Sequence, residues 1–344
     1  MDSSPAHGTS QHYSRRPWVP AADAFAAQPD LLTALPGFLA PRIPAVGERP
    51  SRVMIVGIGA SHAAAAAGMH RMRLHGIDAT RHLPGELRPE STGGTVVAVS
   101  QSGRSAEVVD LVSRLDGARV VSVTNYAPSP LADLADYDLN LGDHPDSSVS
   151  FVSFTGTVLA LAMLADHWGS ALDVARWERV VGEAVAAARR AEDALDAAAD
   201  ILAAAPFVDI TAPAPLVGAA EEAALMFREG PRMAATGMDT RLYLHGAMDV
   251  AGSGAHLVIG GEREALLVDQ LAEQTADIVF VATDDARPAR SRAVVNLPVA
   301  DPVGRVLAVS VLAQSLVSRV SLLRGVDIDE PVFERLDTKV AARP

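Results

Sequence analysis

The chain has 344 residues, 49% of them apolar but only 4% aromatic, so it can bury two ordinary cores built from Ala, Val and Leu. Its formal net charge of −13 argues against nucleic acid or an anionic membrane as partner, and leaves an anionic ligand to be held by local dipoles and hydroxyls. With no cysteine, disulfides, thiolate zinc sites and cysteine nucleophiles are excluded.

Residues 1–17, rich in Ser, His and Pro, are expected to be a disordered N-terminal segment. Arg15-Arg16 lead into Pro17-Trp18 rather than an apolar stretch, which is not a secretory signal. The apolar run Thr157 to Ala165 is too short to span a bilayer, so a soluble, cytoplasmic protein is expected. Residues 21–39 form an amphipathic segment with Phe25, Leu31 and Leu32, interrupted at Gln28-Pro29. Arg52 to Val56 then reads as a buried strand, followed by Gly57-Ile58-Gly59-Ala60-Ser61-His62 and an alanine-rich helix. A dinucleotide fingerprint fails here: His62 replaces the third glycine, and the second strand, Ala79 to Leu83, ends without an acidic ribose ligand.

The most informative stretch is Thr95 to Leu115. Val96, Val97, Ala98 and Val99 form a buried parallel strand, and Val108, Leu111, Val112 and Leu115 mark one face of a helix. Between them lies Ser100-Gln101-Ser102-Gly103-Arg104-Ser105. Backbone N–H groups at a helix N-terminus, ringed by hydroxyls, make an anion cradle. A serine N-cap is the plainer reading, but three serines and a glutamine exceed what a cap needs. Strands at Ala118 to Thr124 and Asp138 to Leu141 complete a doubly wound parallel sheet, whose ligands bind beyond the carboxyl ends of the strands.

Residues 171–205 read as a long helix and linker, so the chain divides into domains at 18–190 and 191–344. The second half repeats the plan: strands at Phe207 to Thr211, Thr240 to Leu244, His256 to Ile259, Ile278 to Ala282 and Val294 to Leu297, with helices at Ala219 to Arg228 and Glu264 to Glu273. Where the first half has its hydroxyl loop, the second has Gly260-Gly261-Glu262-Arg263. An acid there repels a phosphate, so only the first half is expected to hold one.

SQSGRSAE, Ser100 to Glu107, resembles the phosphosugar-binding loop of the sugar isomerase (SIS) domain, known from the isomerase half of glucosamine-6-phosphate synthase. Other segments follow that family in order. Gln28-Pro29 resembles its "E-I-x-E-Q-P" helix; Ser150, Phe154 and Thr155 match its "V-A-S-T-K-A-F-T" segment, with Phe151-Val152 replacing Thr-Lys. Val303 to Gly325 and the following VDIDEP resemble its C-terminal helix and "G-T-D-V-D-x-P" turn.

The resemblance implies an α/β fold of two tandem SIS domains, each a doubly wound parallel sheet flanked by helices. It implies a sugar phosphate held by Ser61, Ser100, Gln101, Ser102, Ser105 and Ser150, with Glu229 as the base. Glu222 lies seven residues earlier on the same helix face. His245, sixteen residues after Glu229, is expected to open the sugar ring from the neighbouring subunit of a homodimer, and Lys339 to close over the substrate. There are departures: Met226 and Arg228 replace the two lysines of the family's "K-L-K-E", and Arg241 to His245 lacks the acid and lysine of its "G-E-L-K-H".

No metal or redox cofactor is expected, since the ten histidines show no H-E-x-x-H or comparable cluster. The leading expectation is an aldose–ketose isomerase and deaminase acting on a hexosamine 6-phosphate. One alternative is dehydration of N-acetylglucosamine 6-phosphate by C2–C3 elimination, if Phe151, Val152, Met226 and Leu242 make the site wall more apolar. Another is a sugar-phosphate sensor without catalysis. Glutamine-dependent synthesis is not expected, because a glutaminase segment and its nucleophilic cysteine are absent.

Overall fold

The structure is a computed structural model that describes residues 18–290, 293–333 and 337–340. The disorder expected for residues 1–17 lies outside that description. The first half runs α1 (Ala21–Leu39), β1 (Arg52–Val56), α2 (Ala60–Leu74), β2 (Asp78–His82), β3 (Thr95–Val99), α3 (Ala106–Ser113), β4 (Arg119–Thr124), α4 (Pro130–Leu134), β5 (Tyr137–Asn140) and α5 (Val152–Trp168). The second runs α6 (Val174–Ala191), α7 (Leu195–Ala204), β6 (Phe207–Ala212), α8 (Val217–Glu229), β7 (Ala234–Asp239), α9 (Thr240–Tyr243), β8 (Ala255–Gly260), α10 (Glu262–Leu271), β9 (Ile278–Ala282), β10 (Ala293–Asn296) and α11 (Pro302–Leu323).

The strands form two five-stranded parallel sheets, β2-β1-β3-β4-β5 and β7-β6-β8-β9-β10. Each is therefore wound in the same order. The central strands β3, β8 and β9 are buried along their whole length, which is why they read as unbroken apolar runs rather than alternating ones.

The two sheets share one core. A continuous apolar cluster runs from Ala21 to Val320, with α2, α5, α8 and α11 packed against one another within it. Smaller clusters cover the outer faces, around Val96, Val108 and Leu111 on the first sheet and Val258, Leu267 and Phe280 on the second. Helices α2 and α8 approach closely because the first turn of α8 carries Gly218, where a Cβ would lie 2.3 Å from the Ala63 carbonyl oxygen. A two-pronged ion pair ties the halves together as well: Arg81 at the end of the first sheet's edge strand donates to both carboxylate oxygens of Glu221 on α8, at 2.5 and 2.6 Å.

Three segments differ from expectation. Helix α1 runs unbroken through Pro29 and Pro36, where an interruption was expected at Gln28-Pro29. Packing outweighs the missing N–H there: Gln28 is fully buried and donates to the Phe151 carbonyl and Thr155 Oγ1, each at 3.0 Å. Thr240 to Leu244 is not a strand. The edge strand is β7, paired with β6 from Ala234 onward, and Asp239 then caps α9 by accepting from the backbone of Arg241 at 2.8 Å and Leu242 at 3.3 Å. Residues 171–205 form two helices, α6 and α7, separated by a single 3₁₀ turn at Glu192–Ala194. Among the described residues one helix, α11, is long and apolar enough to cross a membrane, but 78% of its apolar window is buried in the shared core.

Candidate active site

The site is assembled where both halves meet, beyond the carboxyl ends of β1 and β3. β1 leads through Gly59, in the left-handed region at φ +59, into α2, whose first turn carries Ser61. β3 leads into the serine loop. Its turn depends on Gly103, at φ +61, where a Cβ would sit 2.0 Å from Ser129 Oγ.

Ser105 occupies the N-cap position of α3, yet its hydroxyl makes no capping bond. The Ser105 hydroxyl instead lies 3.0 Å from Ser100 Oγ and accepts from Lys339 Nζ at 3.4 Å. The C-terminal residues lie antiparallel along this loop. Ala106 N–H donates to the Thr338 carbonyl at 3.2 Å, Val340 N–H donates to the Arg104 carbonyl at 2.8 Å, and the Arg104 guanidinium returns bonds of 2.7 and 3.0 Å to the Val340 carbonyl. Lys339 is thereby fixed beside the serines by backbone pairing, not by its own flexible stem.

A second loop, Ser147 to Ser153, is organised by Asp146. This buried carboxylate accepts from the backbone of Ser147 (2.9 Å), Phe151 (3.1 Å), Val152 (3.2 Å) and Ser153 (2.9 Å), from the Ser153 hydroxyl, and from Gln101 Nε2 at 3.3 Å. Burial pushes its pKa up, while the hydrogen bonds from Ser153, Ser147 and Phe151 pull it down. Asp146 thus joins the two hydroxyl loops through Gln101.

Glu229, the last residue of α8, comes from the second half to face these loops. The result is a cleft of about 390 Å³ that brings together Ser61, Gln101, Ser105, Ser150, Glu229 and Lys339. Ile58, Phe154 and Leu225 supply its apolar side. Thr338 also lines it, with a buried Oγ1 that has no partner among the described residues.

Three expected site residues do not line the cleft. Ser100 is fully buried behind Ser105, which it supports. Ser102 turns its hydroxyl to its own loop, accepting from Arg104 N–H at 3.3 Å. His245 is exposed at the turn after α9 and lines no part of this subunit's cleft. The residues cited for an apolar wall are also elsewhere: Phe151, Val152 and Met226 are buried in the protein interior, and Leu242 is 64% exposed on the surface.

Sequence reasoning missed Asp146 and did not single out Ser147, Ser148, Ser153, Thr157 or Glu107, all of which line the cleft or order it. The available signal was Asp146-Ser147-Ser148 ahead of a helix, which has the composition of a capping segment. Behind Glu229, Glu222 is fully buried and neither of its oxygens has a hydrogen-bond partner among the described residues. Burial, then the Glu229 carboxylate, then that of Asp146 push its pKa well above the usual carboxyl value. Among the described residues no group of three or more His, Asp or Glu has the arrangement of a metal site.

Residues 48–166 match the SIS domain. That stretch covers the first sheet, the serine loop and α5 up to Asp166. The chain is 25% identical over 306 residues to glutamine–fructose-6-phosphate aminotransferase [isomerizing] of Caulobacter vibrioides, covering 81% of this chain and 50% of that protein. It spans about half the length of the curated relatives it matches. Its fold is that of SIS phosphosugar isomerases. It superposes on glucosamine-6-phosphate deaminase from Thermotoga maritima with a TM-score of 0.73 at 18% identity, covering 91% of this chain and 97% of that one. Tagatose-6-phosphate ketose/aldose isomerase from Escherichia coli gives 0.78 at 16% identity, covering 94% and 96%.

Proposed function

We propose that the chain is a tandem SIS enzyme that binds a hexosamine 6-phosphate and converts it to the ketose phosphate with loss of ammonia. The observation that carries this is one cleft holding a hydroxyl loop on one side and a helix-end carboxylate, Glu229, on the other. Hydroxyls of Ser61, Ser105 and Ser150 and the Gln101 amide are donors suited to a phosphate, and Lys339 adds a cation in an otherwise acidic protein. Ser100 acts behind them, orienting the Ser105 hydroxyl.

With the phosphate anchored at C6, the open-chain C1–C2 end reaches toward Glu229. Glu229 takes the C2 proton and the electron pair moves to give the C1–C2 enolamine. Return of the proton to C1 leaves an imine at C2, and water adds there to release ammonia and the ketone. One carboxylate held near both carbons serves for both transfers. His245, supplied by a second subunit, opens the ring.

Purified protein incubated with glucosamine 6-phosphate should release ammonia and fructose 6-phosphate in equal amounts, and Glu229→Gln should abolish both. Binding of the sugar phosphate with no turnover by the unaltered chain would overturn the enzymatic reading. None of Phe151, Val152, Met226 and Leu242 lines the cleft, so the geometry favours this reading over elimination from an acetylated sugar.

A further inference from the structure

Arg104 lies beside the cleft, outside its lining, yet it grips the segment that carries Lys339 into it. Asp337, at φ +60, turns the chain into that segment, and Lys339 then pairs antiparallel with Ser105. Two backbone bonds join the strands, Ala106 N–H to the Thr338 carbonyl at 3.2 Å and Val340 N–H to the Arg104 carbonyl at 2.8 Å. The Arg104 guanidinium adds a fork: Nε at 3.0 Å and a terminal nitrogen at 2.7 Å both donate to the Val340 carbonyl.

We propose that Arg104 is a positioning residue for the phosphate anchor: its guanidinium clasps the Val340 carbonyl and so keeps Lys339 Nζ over the serine loop, where the phosphate binds. The inference rests on the proposed function, which puts the phosphate on that loop. Arg104 itself makes no contact with the substrate and acts through Lys339.

The balance of forces favours the clasp. Ordering residues 337–340 costs backbone entropy at every residue, and a two-bond ladder in water returns less than that. A hydrogen bond from a charged donor is roughly twice as strong as a neutral one, and Arg104 makes both of its bonds from a half-buried position. Its fork meets one carbonyl with two N–H groups held in a plane, where a lysine would offer a point charge on a flexible stem. The loop from which the guanidinium rises is fixed. Gly103 N–H donates to the Ser100 carbonyl at 3.0 Å, Leu131 N–H donates to the Gly103 carbonyl at 3.0 Å, and Arg104 N–H donates to Ser102 Oγ at 3.3 Å. Arg104 therefore orders the C-terminal residues rather than following them. The consequence in the cleft is the 3.4 Å approach of Lys339 Nζ to Ser105 Oγ, which sets an ammonium beside a hydroxyl of the anchor.

Calorimetry with glucosamine 6-phosphate on the full chain tests this. Arg104→Met keeps an apolar stem and removes every donor; it should weaken binding about tenfold, the range of one charge-assisted hydrogen bond. Arg104→Lys should fall between that variant and the unaltered chain. In a Lys339→Ala background Arg104→Met should cost about twofold at most, because the group it positions is gone. Val340→Pro breaks the pairing from the other strand, leaves the serine loop untouched, and should also weaken binding about tenfold. Unaltered affinity in either Arg104→Met or Val340→Pro would overturn the inference. So would a tenfold loss from Arg104→Met that persists in the Lys339→Ala chain, since Arg104 would then support the loop itself. Failure of the unaltered chain to bind glucosamine 6-phosphate would overturn the proposed function and this inference with it.

Discussion

Glu222 is a fully buried carboxyl with no hydrogen-bond partner among the described residues, and it offers a direct test of how the site is charged. The family's lysine one helical turn later is Met226 here, itself fully buried, so nothing in the helix neutralises an ionised Glu222. Its pKa is raised well above the ordinary 4.5, first by burial and next by Glu229. A group that holds its proton more tightly folded than unfolded contributes stability that is complete below the unfolded value. That stability is lost as pH rises through the folded value, at up to about 1.4 kcal/mol per pH unit. Glu222→Gln removes the titration and keeps the shape. The amide leaves its polar atoms as unpartnered as the acid does, so near pH 4.5 the two proteins should agree within about 1 kcal/mol. Above that, the variant should gain on the unaltered protein by up to about 1.4 kcal/mol for each pH unit until the folded value is reached. Guanidinium unfolding at pH 5, 6, 7 and 8 measures the difference directly. Adding Glu229→Gln removes the second cause of the shift, so the gain should end at a lower pH. A difference that stays flat from pH 5 to 8 would mean Glu222 is ionised and hydrated, and would refute the reasoning.

Three further outcomes follow from the geometry. Ser105→Ala removes a hydroxyl lining the cleft and should weaken glucosamine 6-phosphate by about 1.5–3 kcal/mol in calorimetry, the worth of a hydrogen bond to a charged group; an unchanged affinity would remove Ser105 from the anchor. Gly103→Ala combines a left-handed φ with a 2.0 Å clash against Ser129, and should cost about 2 kcal/mol or more in denaturant unfolding; wild-type stability would show that the loop can relax. Mixing Glu229→Gln with His245→Ala protomers should restore about a quarter of the sites in a random dimer pool, since half the dimers are mixed and each has one intact site; no rescue in a pool shown to exchange subunits would contradict a role for His245 across an interface.

The parts of this fold that were legible in the sequence are those whose signal is local. β3, β4 and β9 are runs of β-branched residues buried on both faces, and their boundaries fall within a residue of expectation. β7 was missed because AATGMD has little intrinsic strand character; the ladder from Phe207–Ala234 onward imposes the strand. The continuity of α1 was hidden for a similar reason, since Pro29 is a local breaker and the compensating burial of Gln28 against α5 is tertiary. In the cleft, Ser61, Gln101, Ser105, Ser150, Glu229 and Lys339 were named from motifs that lie far apart in the chain. Ser100 and Ser102 were named with them because composition counts hydroxyls but cannot tell which way each one points. Asp146 was invisible because a carboxylate that gathers its donors from two loops leaves no periodic mark.

The second sheet shows what distinguishes a site from a fold. It repeats the winding of the first, and its central strand β8 likewise ends in a glycine turn leading into a helix. At that turn the Gly261 N–H, which corresponds to the donors of an anion cradle, donates to Glu264 Oε2 at 3.1 Å. A carboxylate from the protein's own first helical turn thus occupies the place an external anion would take. Asp284 crowds the other side, with a carboxylate oxygen 2.1 Å from where a Cβ on Gly261 would lie. A phosphate would have to displace one acid and face a second. In the first half the substitute at α3 is not a carboxylate: the Ala106 N–H is satisfied by the Thr338 carbonyl, which brings Lys339 to the loop with it. One turn is closed by its own carboxylate; the other is lined by hydroxyls and carries a lysine into a cleft that Glu229 faces from the opposite side. Both helix starts are thus closed from within the protein, one by a carboxylate and the other by a backbone carbonyl, and the ligand site in the first half is made by the hydroxyls and the lysine that reach the turn.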